Sequence, residues 1–92
     1  MSTIRIPPVL RSSVGGAKQV TGEGTTLAET LTNFFASYPS LRTQILTTDG
    51  TLSKFINIYV DDQDVRYLQG LDTPTSATAT ITLLPAMAGG AA

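Results

Sequence analysis

The chain has 92 residues, 41% apolar and 14% charged, with six lysines and arginines against seven aspartates and glutamates and a formal net charge of -1. That is the size and balance of one folded domain with a modest core. It excludes a disordered chain, and no apolar run is long enough to span a bilayer as a helix. Cysteine and histidine are both absent. This removes disulfides, thiolate nucleophiles, imidazole bases and the usual zinc ligand sets, so the chain is not expected to be an enzyme or to hold a metal or cofactor of its own. The six cations are scattered in sequence and predict no basic patch, which sets nucleic acid aside as a partner.

The opening Met1-Ser2-Thr3-Ile4-Arg5-Ile6-Pro7-Pro8 lacks the basic-then-apolar layout of a signal peptide, so the expected compartment is the cytoplasm. Ile4, Ile6 and Leu10 share one parity and read as a first strand interrupted by Pro7-Pro8. Ser12-Ser13-Val14-Gly15-Gly16 is a turn signal, and Lys18, Val20 and Gly22 form a short return strand, predicting an N-terminal hairpin. Leu27, Leu31, Phe34, Phe35 and Tyr38 then fall on one stripe of a helix. Thr26-Leu27-Ala28-Glu29 has the capping-box pattern at its start, and Pro39 stops it. Ser40 to Ser53 reads as a connector with a short helical turn around Leu41, Ile45 and Leu46, followed by the turn Thr48-Asp49-Gly50. Phe55 to Val60 is a β-branched and aromatic strand with Ile56, Ile58 and Val60 on one face. Asp61-Asp62-Gln63-Asp64 is a tight polar turn, and Val65-Arg66-Tyr67 the expected short partner strand. Ala79, Ile81 and Leu83 mark a last strand that Pro85 ends. One helix gripped by a mixed sheet of four to five strands is an α+β β-grasp, or ubiquitin-like, arrangement. The expected division is a β-grasp domain over 1–84 and a flexible tail over 85–92.

Chemistry has few places to reside. Gly89-Gly90 after the last strand would form a slim backbone arm with no side chain at its end, able to enter a narrow channel; a frayed Gly/Ala terminus is the plainer alternative. Asp61, Asp62 and Asp64 lack the glycine and distal glutamate of a calcium loop and read as a solvated turn. Ser12 to Lys18 lacks the spacing of a phosphate-binding loop. Tyr59 and Leu84 sit on the strand phase opposite the core set. They are candidate docking residues on the outer sheet face, with Pro85 and Met87 beside them, unless the Ser40–Ser53 connector covers one of them.

Ile6-Pro7-Pro8-Val9-Leu10-Arg11, Gly15-Gly16, the run from Phe55 to Arg66, and Leu83-Leu84-Pro85-Ala86-Met87-Ala88-Gly89-Gly90 resemble the ThiS/MoaD family of ubiquitin-like sulfur carriers, nearest its CysO-type branch in actinobacterial cysteine biosynthesis. The stretch Asn57-Ile58-Tyr59-Val60, Asp62, Asp64-Val65-Arg66 carries the most specific part of the likeness. The resemblance implies a carrier whose terminal glycine, Gly90, is adenylated by an ATP-consuming enzyme of the ubiquitin-activating type and converted to a thiocarboxylate. Gly89 would give the arm its clearance. Sulfur would pass to an accepting enzyme, in the CysO-type system a PLP-dependent cysteine synthase, and a JAMM-type metalloprotease would act alongside. The family ends at Gly-Gly, whereas Ala91-Ala92 follow here, so the resemblance also implies a precursor cut between Gly90 and Ala91. A ubiquitin-like modifier conjugated through the same glycine and a purely structural β-grasp subunit stay open as other readings.

Overall fold

The computed structural model describes residues 1–85. Five strands form one sheet: β1 (Ser2–Arg5), β2 (Gln19–Gly22), β3 (Ile56–Val60), β4 (Gln63–Asp64) and β5 (Thr80–Pro85), in the order β2-β1-β5-β3-β4. The central pair β1 and β5 runs parallel, with Ile4 opposite Ile81, and every other pair is antiparallel. Helix α1 (Leu27–Ser37) lies across one face, and a short helix α2 (Arg42–Ile45) follows it.

The α1 stripe forms as its spacing predicts. Leu27, Leu31, Phe34 and Phe35 are buried, and Tyr38, half-buried, stacks obliquely on Phe34 with ring centroids 5.5 Å apart. Each buried side chain of this size stabilises the fold by roughly 2 kcal/mol. They meet Ile4, Ile58, Ile81 and Leu83 from the sheet. Thr26 caps the helix by accepting from the Glu29 amide at 3.2 Å. The Glu29 carboxylate reaches back to the Thr25 amide at 3.0 Å, one residue before the position a simple capping box uses. Leu41 and Ile45 of the connector are fully buried beside α1.

Two local expectations are corrected. The N-terminal hairpin exists, but its strands are not joined by a tight turn. β1 ends at Arg5, and Pro8–Val14 winds into a 3-10 helix that buries Leu10 and Val14. The prolines, with fixed φ and no N–H to give a ladder, start that helix, so Leu10 is not a strand residue. Gly15 and Gly16 then close the loop with φ of 68° and 84°. Second, the partner of β3 is Gln63–Asp64 rather than Val65-Arg66-Tyr67, which is a 3-10 turn. Asp61 and Asp62 both take positive φ (51° and 71°) and complete a two-residue hairpin, so pairing begins at Gln63. The Asp64 carboxylate then accepts from the Arg66 amide at 2.9 Å, which turns the chain out of the sheet.

Sequence reading also missed a buried hydroxyl pair. Thr30, on the apolar stripe of α1, bonds Thr75 at 3.1 Å, and Thr75 donates to the Gly24 carbonyl at 3.1 Å. A threonine at a core position of a helix is the signal that could have revealed it. No helix among the described residues is long and apolar enough to cross a membrane.

Candidate functional site

β5 delivers the backbone to Pro85, which stands opposite Ile56 at the start of β3. Gly90 lies five residues further along the sequence. An extended chain advances at most ~3.5 Å per residue, so Gly90 is within about 17 Å of that point whatever path it takes. The expected acyl site Gly90, the clearance residue Gly89, the processing position Ala91 and the docking residue Met87 all lie outside the described residues. What the structure defines is the platform from which they start.

That platform is pinned by one side chain. The Arg66 guanidinium donates to the carbonyls of Ser53 at 3.1 Å and Ile56 at 2.9 Å, and also to the Asn57 side-chain oxygen. The Ser53 hydroxyl accepts from the Phe55 amide at 3.1 Å, so residues 53–57 are tied down just where they flank the end of β5. At the other end of β3, Asp61 continues the ladder. Its amide donates to the Thr80 carbonyl at 2.9 Å, and its carboxylate accepts from the Thr80 amide at 3.0 Å. The run from Asn57 to Arg66 is thus a structural device: a hairpin turn whose Asp61 ties β3 to β5, a cap on the turn that follows, and an anchor that fixes residues 53–57. With Arg66→Ala we expect amide exchange at Ile56 to quicken and stability to fall by about 1–3 kcal/mol, measured by hydrogen exchange and denaturant melts. Unchanged protection would show that the guanidinium bonds carry no weight.

Tyr59 and Leu84 share the outer sheet face as their parity predicts. Tyr59 is opposite Thr82 and Leu84 opposite Asn57, so the two are diagonal neighbours. Leu84 is exposed and Tyr59 half-buried. Of the connector's apolar residues, Leu41 and Ile45 are buried in the core and Leu46 and Leu52 pack against it, and the side chain beside Asn57 on this face is Arg66. Pro85 is exposed and lines a groove at the end of the body with Pro7, Val9, Leu10 and Phe55. The acidic turn forms no metal cluster: no group of three or more carboxylates suited to an ion occurs among the described residues.

A mixed sheet with a central parallel pair and one helix across it, followed closely by a Gly-Gly pair, defines a ubiquitin-like β-grasp protein. The fold of small archaeal modifier protein 1 from Methanosarcina acetivorans agrees, with a TM-score of 0.84 over 97% of this chain and 95% of that one; at 24% identity the likeness concerns the fold alone. The profile of the ThiS family matches residues 4–90, and the chain belongs to that family. Over 90 residues it is 39% identical to the sulfur carrier protein CysO of Mycobacterium tuberculosis H37Rv, covering 96% of this chain and 97% of that protein. The solved BexX/CysO complex of Amycolatopsis orientalis contains a chain that it matches with a TM-score of 0.89 and 37% identity, over 98% of this chain and 100% of that one.

Proposed function

We propose that this chain is a sulfur carrier serving cysteine biosynthesis, a co-substrate in the cytoplasm with no catalysis of its own. The observation that carries this is its near-full-length identity with sulfur carrier protein CysO, together with Gly89-Gly90 set just beyond β5. The chemistry follows from the position of Gly90. Its carbonyl is in a peptide bond with Ala91, and an amide is a poor acyl donor. Hydrolysis of that bond, the work of a JAMM-type metalloprotease, frees a carboxylate. An activating enzyme of the ubiquitin-activating type then lets the carboxylate attack the α-phosphorus of ATP, forming an acyl-adenylate and releasing pyrophosphate. Sulfide sulfur displaces AMP and leaves a thiocarboxylate, a soft nucleophile that a PLP-dependent cysteine synthase takes as its sulfur source. The folded body is the handle by which each enzyme in turn takes the carrier. No side-chain thiol is needed, which accords with a chain that has none.

The test is intact-mass analysis of the chain ending at Gly90 after incubation with its cognate activating enzyme, ATP and sulfide. We expect a gain equal to the mass difference between sulfur and oxygen, reversed by alkaline hydrolysis, while the chain carrying Ala91-Ala92 stays unchanged until cut. An unaltered mass in the trimmed chain overturns the proposal. High-mass adducts on lysines of other proteins would point to a conjugated modifier instead.

A further inference from the structure

Scattered cations predict no basic patch, and the fold overturns that expectation. The end of the body where β5 finishes gathers five of the six, with Arg42 at its edge. Arg5 stands level with Thr82 and Gln19, toward the finish of β5. Lys18 is beside them, its carbonyl accepting from the Ile6 amide at 2.9 Å. Arg11 donates to the Ile6 carbonyl at 3.1 Å. Lys54 sits over the Phe55 ring, 5.7 Å from its centroid, and the Arg66 guanidinium is on the Ser53 and Ile56 carbonyls. Arg42 lies at the margin, bordering one groove with Ser53 and Phe55 and a second with Ala28, Leu31 and Leu71 on the α1 side. The carboxylates lie mainly at the opposite end. Glu23 follows Gly22, which faces Ser2, and Asp61 and Asp62 turn beside Thr80. Glu29 is in the first turn of α1, and Asp72 precedes Thr73, whose carbonyl accepts from the Leu27 amide. Asp64 stands beside Tyr59, and Asp49 is the exception, in the connector turn between Thr48 and Gly50, both of which border grooves that Arg42 lines. A chain of net charge -1 is therefore an electric dipole, positive around Pro85.

Inside the positive ring is a groove of about 320 Å³ lined mainly by Pro7, Val9, Leu10, Phe55, Ile56 and Pro85, with the uncharged Thr43, Gln44 and Ser53 along one side and no charged side chain in its wall. Val9 and Phe55 are 68% and 62% exposed. An apolar centre with a charged rim is the anatomy of a protein interface. We infer that this end is a docking surface for a partner enzyme that seats an apolar side chain in the groove and surrounds it with carboxylates, and that the dipole turns the carrier end-on so that the finish of β5 leads. This rests on the sulfur-carrier reading, since Gly90 is confined to within about 17 Å of the same groove. A protein fits better than a nucleic acid or an anionic membrane. A long polyanion spreading over so small a body would also meet the acidic end, whereas a compact acidic rim would not, and only a protein offers an apolar side chain to the groove.

The test is the association and dissociation rate of the carrier with its cognate activating enzyme. Arg42→Glu with Lys54→Glu should slow association at least about tenfold at low ionic strength, and the deficit should shrink in about 0.5 M salt. Phe55→Ala should quicken dissociation about tenfold. Glu23→Lys with Asp62→Lys, at the far end, should do neither, and circular-dichroism melts establish that each variant folds. Unchanged association in the first pair, an equal slowing in the far-end pair, or tighter binding to duplex DNA or phosphatidylglycerol vesicles than to the enzyme would each overturn the inference. Thiocarboxylate formation at saturating enzyme separates the two proposals. If it fails in the unaltered chain, the carrier reading falls; if it proceeds while the rates ignore charge, only the docking surface does.

Discussion

A chain ending at Gly90 and carrying Gly90→Val is expected to keep its melting temperature and yet form acyl-adenylate at least about 100-fold more slowly. The reason is the order of events at the carbonyl. In the proposed reaction the carboxylate would approach the α-phosphorus in line, inside a channel narrow enough to need a bare backbone. A β-branched side chain on the adjacent carbon occupies that clearance and rotates the carboxylate, and misplacement by about 1 Å costs roughly this much rate. Stability should not change, because the core among the described residues ends at Leu83 and the last strand pairing is Ile56 with Pro85. Pyrophosphate release with the activating enzyme measures the effect. A rate near that of the unaltered chain would mean that the reactive end is elsewhere.

The second large effect is one of stability. Gly24→Ala should lower it by about 3 kcal/mol, which in a domain of this size moves the melting temperature down by roughly 10–20 °C. A Cβ at Gly24 would stand 2.5 Å from the Thr30 amide nitrogen and 2.9 Å from the Glu29 carbonyl carbon, both backbone atoms of α1 that cannot step aside. The same place holds the Thr30–Thr75–Gly24 hydroxyl chain, so a shift of the helix would also strip buried polar groups of their partners. Thermal melts of the two chains decide it. A loss below about 1 kcal/mol would show that the loop before α1 yields more readily than its contacts imply.

Much of this was legible in the chain because its signals are local and periodic. The stripe Leu27, Leu31, Phe34, Phe35 and the alternation through Ile56–Val60 and Ile81–Leu83 each state which side is buried, and the structure buries those residues. Paired Gly15-Gly16 and Thr48-Asp49-Gly50 sit in turns, with positive φ at all three glycines. Where reading erred, two local preferences competed. Pro7-Pro8 could interrupt a strand or begin a 3-10 helix, and the acidic turn could span four residues or two. Parity alone does not choose between them. Strand pairing does: Val60 meets Gln63, and β1 leaves the sheet after Arg5.

The identities of the residues were enough to establish one helix on a mixed sheet, a chain without thiol or imidazole chemistry, and a Gly-Gly pair beyond the final strand. They could not reveal that Arg66 clamps the start of β3, or that most cations share one end of the molecule while most carboxylates occupy the other. Contacts of that kind join positions far apart in the chain. Their geometry follows from which strands run parallel and in what register, a collective property of the packed sheet that no short window of residues contains.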